Sequence, residues 1–498
     1  MKKLLLLFIG IVSLTSYSQD GSLDTSFGDG GIVRTDIGGN IDYPFSIVQQ
    51  TSGKLIVVGG VFNNTGQKFP FVARYLIDGT LDTTFGDNGV TVYSVPEYVS
   101  SEYEKVVSQS DGKIIAGAVY FPNSIPRFAI HRYLPDGSID TDYGANGEII
   151  VSSEIVIQGD MILQSDGALL IVCSSFENNS FNIILKRFLP NGILDTNFGI
   201  NGTTVVSVGV SSGLNIKVGL TNNEKIVVLA NYQTTGNNTK ALLGFNNNGS
   251  LDNSFGTNGI APITIDQKYR SIGMSIYNDG KIAVHSGYID YQLYMSHTLI
   301  SRYLSNGELD TSFGDSGYIN PNIDNLSIIK TLIQENQRLL VFGQLINDFI
   351  EGGGWLYMSR YKLGGGIDPG FDFDTSSTLY APTDMLLQQD GKIVCLMTTP
   401  WYIGNEDVIM ERYHNNPLSL TEFQDQRTIV YPNPSNGIFT IEQDFYSETD
   451  MYQITDITGK AIATGELGDK QTQIDLSSAQ SGVYFLKTSN GVFRLLKN

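Results

Sequence analysis

One phrase recurs along this chain at a nearly fixed interval. A periodic chain has few ways to fold, because each unit must bury its apolar face against a neighbouring copy of itself. Leu-Asp-Thr-Ser-Phe-Gly at Leu23–Gly28 returns at Leu81–Gly86, Ile139–Gly144, Leu194–Gly199, Leu251–Gly256 and Leu309–Gly314, with a degenerate copy at Ile367–Phe371. The Asp of each copy stands at 24, 82, 140, 195, 252, 310 and 368, at intervals of 55 to 58 residues, so seven units fill the chain from about 20 to 414.

Inside each unit the order is constant. A Gly-bounded turn after Phe-Gly leads to a first strand such as Gly31-Ile32-Val33-Arg34, and a second follows, as in Phe45–Gln49. A tight turn comes next, Asp111-Gly112 in the second unit and Asp166-Gly167, Asp279-Gly280 and Asp390-Gly391 later. Asp-Gly between apolar strands predicts a type I′ hairpin, in which both central residues take positive φ. A third strand such as Lys54–Gly59 and a fourth such as Phe71–Leu76 complete the unit, closed by Asp78-Gly79. Four strands in each of seven units, with no helical periodicity between them, predict an all-β fold: a seven-bladed β-propeller of four-stranded blades. A parallel β-helix is the competing architecture, but its coils are shorter and would not need two Asp-Gly hairpins per repeat. If blade boundaries fall between first and second strands, Gly31–Thr35 completes the last blade and hides two sheet edges. Seven self-contained blades are the other phase.

Composition narrows the function classes. Thirty-one Lys and Arg against 51 Asp and Glu give a net charge of -20, which repels phosphate backbones and anionic lipid surfaces. Two Cys, Cys173 and Cys395, and four His with no shared repeat position, His131, His285, His297 and His414, supply neither a disulfide framework nor a His/Cys metal cluster. The cysteines read as two buried thiols.

Both ends of the sequence read as addresses. Lys2 and Lys3, the apolar run Leu4–Val12 and the small residues of Ser16-Tyr17-Ser18 predict a cleaved signal peptide over residues 1–18. No later stretch reaches 18 uninterrupted apolar residues, so no transmembrane segment is predicted. The propeller then spans 19–414 and a polar, Pro-containing linker 415–427. Over 428–498, Tyr431-Pro432-Asn433-Pro434, Ile454–Lys460 and Ser481–Lys487 alternate apolar and polar with turns between, predicting a small C-terminal β-sandwich.

Two resemblances follow from these motifs. The recurring L-D-x-x-F-G-x-x-G, Q-x-D-G-K-I and R-Y-x-x-D-G resemble the delta-60 repeat family, which implies repeat architecture and carries no activity. The P-N-P-x-x-G-x-F opening, D-x-x-G-K hairpin and G-V-Y-F-L close of residues 428–498 are similar to the type A C-terminal sorting domain of the type IX secretion system. That resemblance implies passage through the outer membrane by the type IX machinery, removal of the domain, and release or attachment at the surface.

Three constellations are candidates for chemistry. Asp20 with Asp24, and Asp136 with Asp140, place two carboxylates near one turn, a weak calcium pattern. Without alternating Asp or Asn ligands, turn capping is the favoured role and no cofactor is expected. An Arg stands eight residues before the motif Asp in Arg74/Asp82, Arg132/Asp140, Arg187/Asp195, Arg302/Asp310 and Arg360/Asp368, while Gly244 replaces it before Asp252. This spacing suggests a repeated scaffold ion pair, with an Arg ring facing an anion as the alternative. The variable loops between third and fourth strands are aromatic in the last three units: Tyr288, Tyr291 and Tyr294, then Trp355 and Tyr357, then Trp401 and Tyr402. Such rings can stack on sugars or peptide side chains, or pack inward to cap their own blades.

No zincin, nucleophile-elbow or phosphate-loop motif is present. The expected function is a secreted or surface recognition module binding an extracellular glycan or protein. The alternative is a polysaccharide hydrolase or lyase with a carboxylate pair in the channel; a spacer with no ligand is a third reading.

Overall fold

The structure is a computed structural model. It describes residues 20–498 apart from 39–40, 64, 95–100, 121–125, 152–154, 178–179, 210–214, 235–236, 291–294, 347–353, 374–378, 400–405, 416–427, 444–450, 458, 468–470 and 489–490. The predicted signal peptide lies outside the described residues. Among those described, every regular element is a strand. The chain divides into two units, Met1–Pro417 and Leu418–Asn498.

In the first unit the repeats form antiparallel sheets with a fixed phase. Asp42–Gln49, Leu55–Phe62 and Lys68–Tyr75 are joined by Val90–Val92, the first strand of the next repeat, and four further four-stranded sheets repeat this order. A seven-stranded sheet runs Leu326–Ile333, Leu339–Ile346 and Gly354–Tyr361, then Leu379–Leu387, Ile393–Thr398, Val408–Tyr413 and Ile32–Thr35. Its two parts meet through Gly354 opposite Tyr380 and Trp355 opposite Leu379. The closing strand comes from the other end of the chain: Ile32 pairs with Glu411, and Thr35 with Val408. The boundary therefore falls between first and second strands, the phase that covers the edge of the last sheet.

Packing between neighbouring sheets explains the sequence of the third strands. Ile114–Tyr120 is buried at every position, because one face meets the preceding sheet and the other the following one. Such strands read as continuous apolar runs rather than alternations. Each core cluster spans two sheets, as where Leu170, Val172 and Leu185 meet Val228 and Leu243. Cys173 and Cys395 are free and buried in these cores, and burial raises the thiol of Cys173 to about 12.

The Asp-Gly hairpins differ from the type I′ expectation. Gln109 N–H donates to Lys113 O and Gly112 N–H to Gln109 O, and Gly112 alone within that turn has a positive φ, of 85°. This is a three-residue loop with Gly in the left-handed position, where the Asp111 side chain accepts from Lys113 N–H and so needs no unusual φ of its own. Type I′ geometry occurs instead after Phe-Gly. Asn88 and Gly89 have φ of 50° and 103°, and Asp87 and Val90 exchange both backbone hydrogen bonds around them.

The second unit is a sandwich. A sheet of Thr428–Tyr431, Ile438–Gln443 and Gln471–Asp475 and another of Ala461–Glu466, Met451–Asp456, Gly482–Thr488 and Gly491–Lys497 share one core, including Phe439, Ile441, Ile454, Leu486 and Leu495.

Candidate functional site

The recurring Asp is spent on the scaffold. In all seven copies it accepts the backbone N–H two residues on, as Ser26 N–H donates to Asp24 and Thr84 N–H to Asp82. Its second oxygen meets the Arg of the preceding strand at 2.5 to 2.8 Å in the five spaced pairs. A sixth pair that the eight-residue spacing misses closes the ring, Arg412 with Asp24 at 2.8 Å across 388 residues. Each guanidinium also lies 4.0 to 5.0 Å over the motif aromatic, from Tyr143 under Arg132 to Phe371 under Arg360. Nη1 of Arg74, Arg132, Arg187, Arg302 and Arg412 reaches a carbonyl one repeat further on, at Pro135, Pro190, Asn247, Leu363 and Ile77. The Arg ring is thus a set of staples between sheets, which favours the scaffold reading over an anion ring.

The lysine that follows the hairpin Gly reinforces the same carboxylates: Lys54 with Asp82 at 2.7 Å and Lys392 with Asp24 at 3.0 Å. Where Gly244 removes the Arg, Lys225 holds Asp252 at 2.6 Å. There Phe255 occupies the vacated space, since a Cβ on Gly244 would lie 2.4 Å from its Cγ. Burial opposes ionisation of Asp82, but hydrogen bonds from Lys54 and Thr84 and the Arg74 charge outweigh it and hold the carboxyl below the usual range.

The calcium pattern meets the same use. Asp24 and Asp140 are paired as above, Asp20 meets Arg360 at 2.9 Å, and Asp136 accepts from Ser138 N–H and Oγ. A different acidic group, Asp36, Asp42 and Asp407, brings its oxygens within 4.8 Å of one another beside the closing strand. Burial, aided by Asp36 and Asp407, pushes the Asp42 carboxyl up to about 7.

A cavity of about 710 Å³ is lined by the second strand of every repeat. One register position recurs around it, four residues before the Gln that opens the hairpin, or before the Thr221 or Tyr277 in its place. It carries Ser46, Lys105, Asp160, Lys217, Gly273, Lys330 and Asp384. These residues face Val58, Gly117, Val172, Leu229, His285, Phe342 and Leu396 in the third strands. A β-bulge immediately before Ser46, Lys105, Gly273, Lys330 and Asp384 re-aims the side chain. At the glycine, the buried imidazole of His285 takes the place a side chain would fill, since a Cβ on Gly273 would lie 2.4 Å from its Cε1.

Both carboxylates of this ring are neutralised and tied to the next sheet. Asp384 meets Lys330 at 2.5 Å and accepts Ile47 N–H at 3.0 Å; Asp160 meets Lys105 at 3.5 Å and accepts Val218 N–H at 3.0 Å. Lys217 has no carboxylate at ion-pair distance among the described residues. Burial, with the Lys105 charge beside it, draws its ammonium down to about 8. Burial likewise takes His285 down to about 3, leaving it neutral.

Of the loop aromatics, Tyr291, Tyr294, Trp401 and Tyr402 lie outside the described residues. Tyr288, Trp355 and Tyr357 stand in strands rather than in the expected loops, Tyr288 in Ile282–Asp290 and the other two in Gly354–Tyr361, because pairing of the third and fourth strands continues past the predicted strand ends; Trp355, opposite Leu345, is 39% exposed. Tyr357 is buried in a core cluster beside Leu326 and Tyr361. Tyr288 stacks on His297 at 4.5 Å and meets the edge of Tyr269 at 4.7 Å, with Lys268 Nζ 4.5 Å from its ring centroid.

Comparison with known proteins bears on the two units separately. Residues 429–497 match the secretion system C-terminal sorting domain, and 50–85, 109–143, 164–198 and 222–255 match the domain of unknown function DUF5122 beta-propeller. No curated protein matches significantly. Similar solved structures include PorZ, an essential bacterial surface component of the type IX secretion system of Porphyromonas gingivalis. It is 14% identical over 94% of this chain and 61% of that one, with a TM-score of 0.41. The beta-propeller domain of the Trilobed protease from Pyrococcus furiosus is 10% identical over 78% of this chain and all of that one, with a TM-score of 0.43. The polysaccharide lyase Uly1 is 9% identical over 81% and 94%, with a TM-score of 0.44. No described helix is long and apolar enough to cross a membrane. The delta-60-like repeats are therefore a DUF5122 β-propeller region, joined in this chain to a type IX sorting domain that addresses it to the cell surface or the extracellular space.

Proposed function

We propose that the chain is an extracellular recognition module: a seven-bladed propeller over residues 19–414, freed of its signal peptide and handed to the type IX machinery by residues 428–498. Its loop face in units five to seven binds an extracellular glycan or protein. The observation that carries this reading is Trp355, a large aromatic left 39% exposed in a unit whose Arg, Lys and Asp are spent on holding sheets together. The cluster of Tyr269, Tyr288, His297 and Lys268 in the preceding unit supports it. The hydrolase or lyase reading is disfavoured because Asp160 and Asp384 are each ion-paired and bonded to a neighbouring backbone, unlike a free acid/base pair.

Glycan-array and surface pull-down experiments with the full chain test this. Trp355→Ala is expected to weaken the ligand found by about tenfold or more, the cost of losing one aromatic anchor. Unchanged affinity would remove the loop face from consideration, and turnover of a polysaccharide would replace recognition with catalysis.

The module is proposed to need no cofactor, so excess EDTA should leave its melting temperature unchanged. A drop on EDTA that Asp42→Asn abolishes would instead place an ion among Asp36, Asp42 and Asp407.

A further inference from the structure

The ring of register-matched residues has an unbalanced charge. Three lysines face two aspartates, and each aspartate already has its own lysine. Lys217 is the one without a carboxylate at ion-pair distance among the described residues, although Asp160 and Glu104 attract it from further off. Beside it stand Lys105 and Glu104 on one strand, Asp160 on the next and His285 on the other side, with the Lys330–Asp384 pair also lining the cavity. A half-buried ammonium next to another ammonium is unfavourable unless something anionic joins them. His285 is buried beside Lys217, with Nδ1 3.3 Å from Thr331 Oγ1 and a backbone hydrogen bond to Ile329. The Lys105 and Lys330 side chains are 30% and 34% exposed, so solvent reaches the cavity.

We infer that the channel is a binding site for an anionic group carried on a saccharide, a uronate carboxylate or a sulfate ester, held between Lys217 and Lys105 with the neutral His285 beside it. This site is separate from the loop aromatics and names a ligand class that the loop face does not. The net charge of -20 on the whole chain makes the site selective. An acidic surface repels extended polyanions, while two adjacent channel ammoniums, one without a carboxylate at ion-pair distance, accept a single anionic group that can enter the channel.

The test is calorimetry of the full chain at about pH 7 with a galacturonate trisaccharide, a sulfated trisaccharide and uncharged maltotriose. One or both acidic probes should bind and maltotriose should not, which also tells carboxylate from sulfate. Lys217→Met should weaken binding by about tenfold or more, as expected for one charge-assisted contact, and Lys217→Arg should restore it. Because Lys217 titrates near 8, affinity in the parent should fall between about pH 7 and 9, and in Lys217→Arg it should not. Lys217→Met relieves repulsion from Lys105, so its melting temperature should not drop; that measurement separates lost binding from lost folding. Failure of both acidic probes to bind, equal binding of maltotriose, or equal affinity in Lys217→Met would each overturn the site. Loss of binding in Trp355→Ala but not in Lys217→Met would keep the loop-face reading and discard this one.

Discussion

Replacing Asp82 with Ala is expected to destabilise the propeller by about 3–5 kcal/mol, the usual cost of removing one partner from a buried ion pair. One oxygen of Asp82 holds Arg74 Nε and Lys54 Nζ, and the other caps the turn through Thr84 N–H and Oγ. Arg74 is 5% exposed and pinned between the Phe85 ring and the Pro135 carbonyl, so its charge cannot turn to water when the carboxylate goes. Asp252→Ala is the informative contrast. Gly244 has removed the guanidinium there, and the remaining partner, Lys225, has a side chain 44% exposed that can simply rehydrate. Its loss should be nearer the cost of a turn cap, about 1 kcal/mol. Chemical denaturation of both variants checks the order, and equal losses would mean that the carboxylates act as turn caps alone. The pH dependence has a definite sign. The Asp82 carboxyl is held below its ordinary value of 3.8, so its contribution is present above that pH and is lost as the medium acidifies through the lower folded value. The gap between parent and Asp82→Ala should therefore close below about pH 4.

The scaffold was legible because its chemistry repeats residue for residue. Leu-Asp-x-x-Phe-Gly and the Arg eight positions earlier recur in identity as well as in spacing in most copies, so self-similarity makes them visible. Arg412 and Asp24 escaped that search because ring closure puts the partner of the last repeat in the first. The matching Arg-Tyr phrase, Arg74-Tyr75 and Arg412-Tyr413, is the signal that would have found it. The channel ring is harder, since its position is constant while its residue is not. Ser46, Lys105, Asp160, Lys217, Gly273, Lys330 and Asp384 look unrelated until each is counted back from its hairpin. The readable sign was a lone charge inside an otherwise uncharged strand, as with Lys330 in Leu326–Ile333. The turn type went astray for a local reason: Asp-Gly supports I′ only when Asp itself takes positive φ. Here the Asp side chain caps the loop from an ordinary conformation, and only the Gly needs the left-handed region.

Deleting residues 20–35 is expected to drive the protein into higher-order species than the parent forms. The deleted stretch supplies the four ladder partners of Val408–Thr35, Ile409–Arg34, Met410–Val33 and Glu411–Ile32. It also supplies Asp24 for Arg412, and Phe27 and Val33 to the core shared with Val394 and Met410. Its removal would leave Val408–Tyr413, buried at every position, as a bare, unpaired sheet edge of the kind that recruits other chains. Light scattering with size exclusion would show the assembly, and hydrogen exchange would show protection lost first along Val408–Tyr413. Adding a peptide of residues 20–36 should return both signals toward the parent, because the strand is bound by pairing rather than by chain connectivity. A deletion variant of the parent's oligomeric size with native exchange at those amides would mean that the ring does not depend on its closing strand. The position of that strand gives the dependence a consequence for export. Residue 20 lies just past the expected signal-peptide cleavage point, and Asp20 is already engaged by Arg360. A cleavage displaced by a few residues toward Asp24 would remove ring contacts, so we propose that the expected processing and closure of the fold depend on the same short segment.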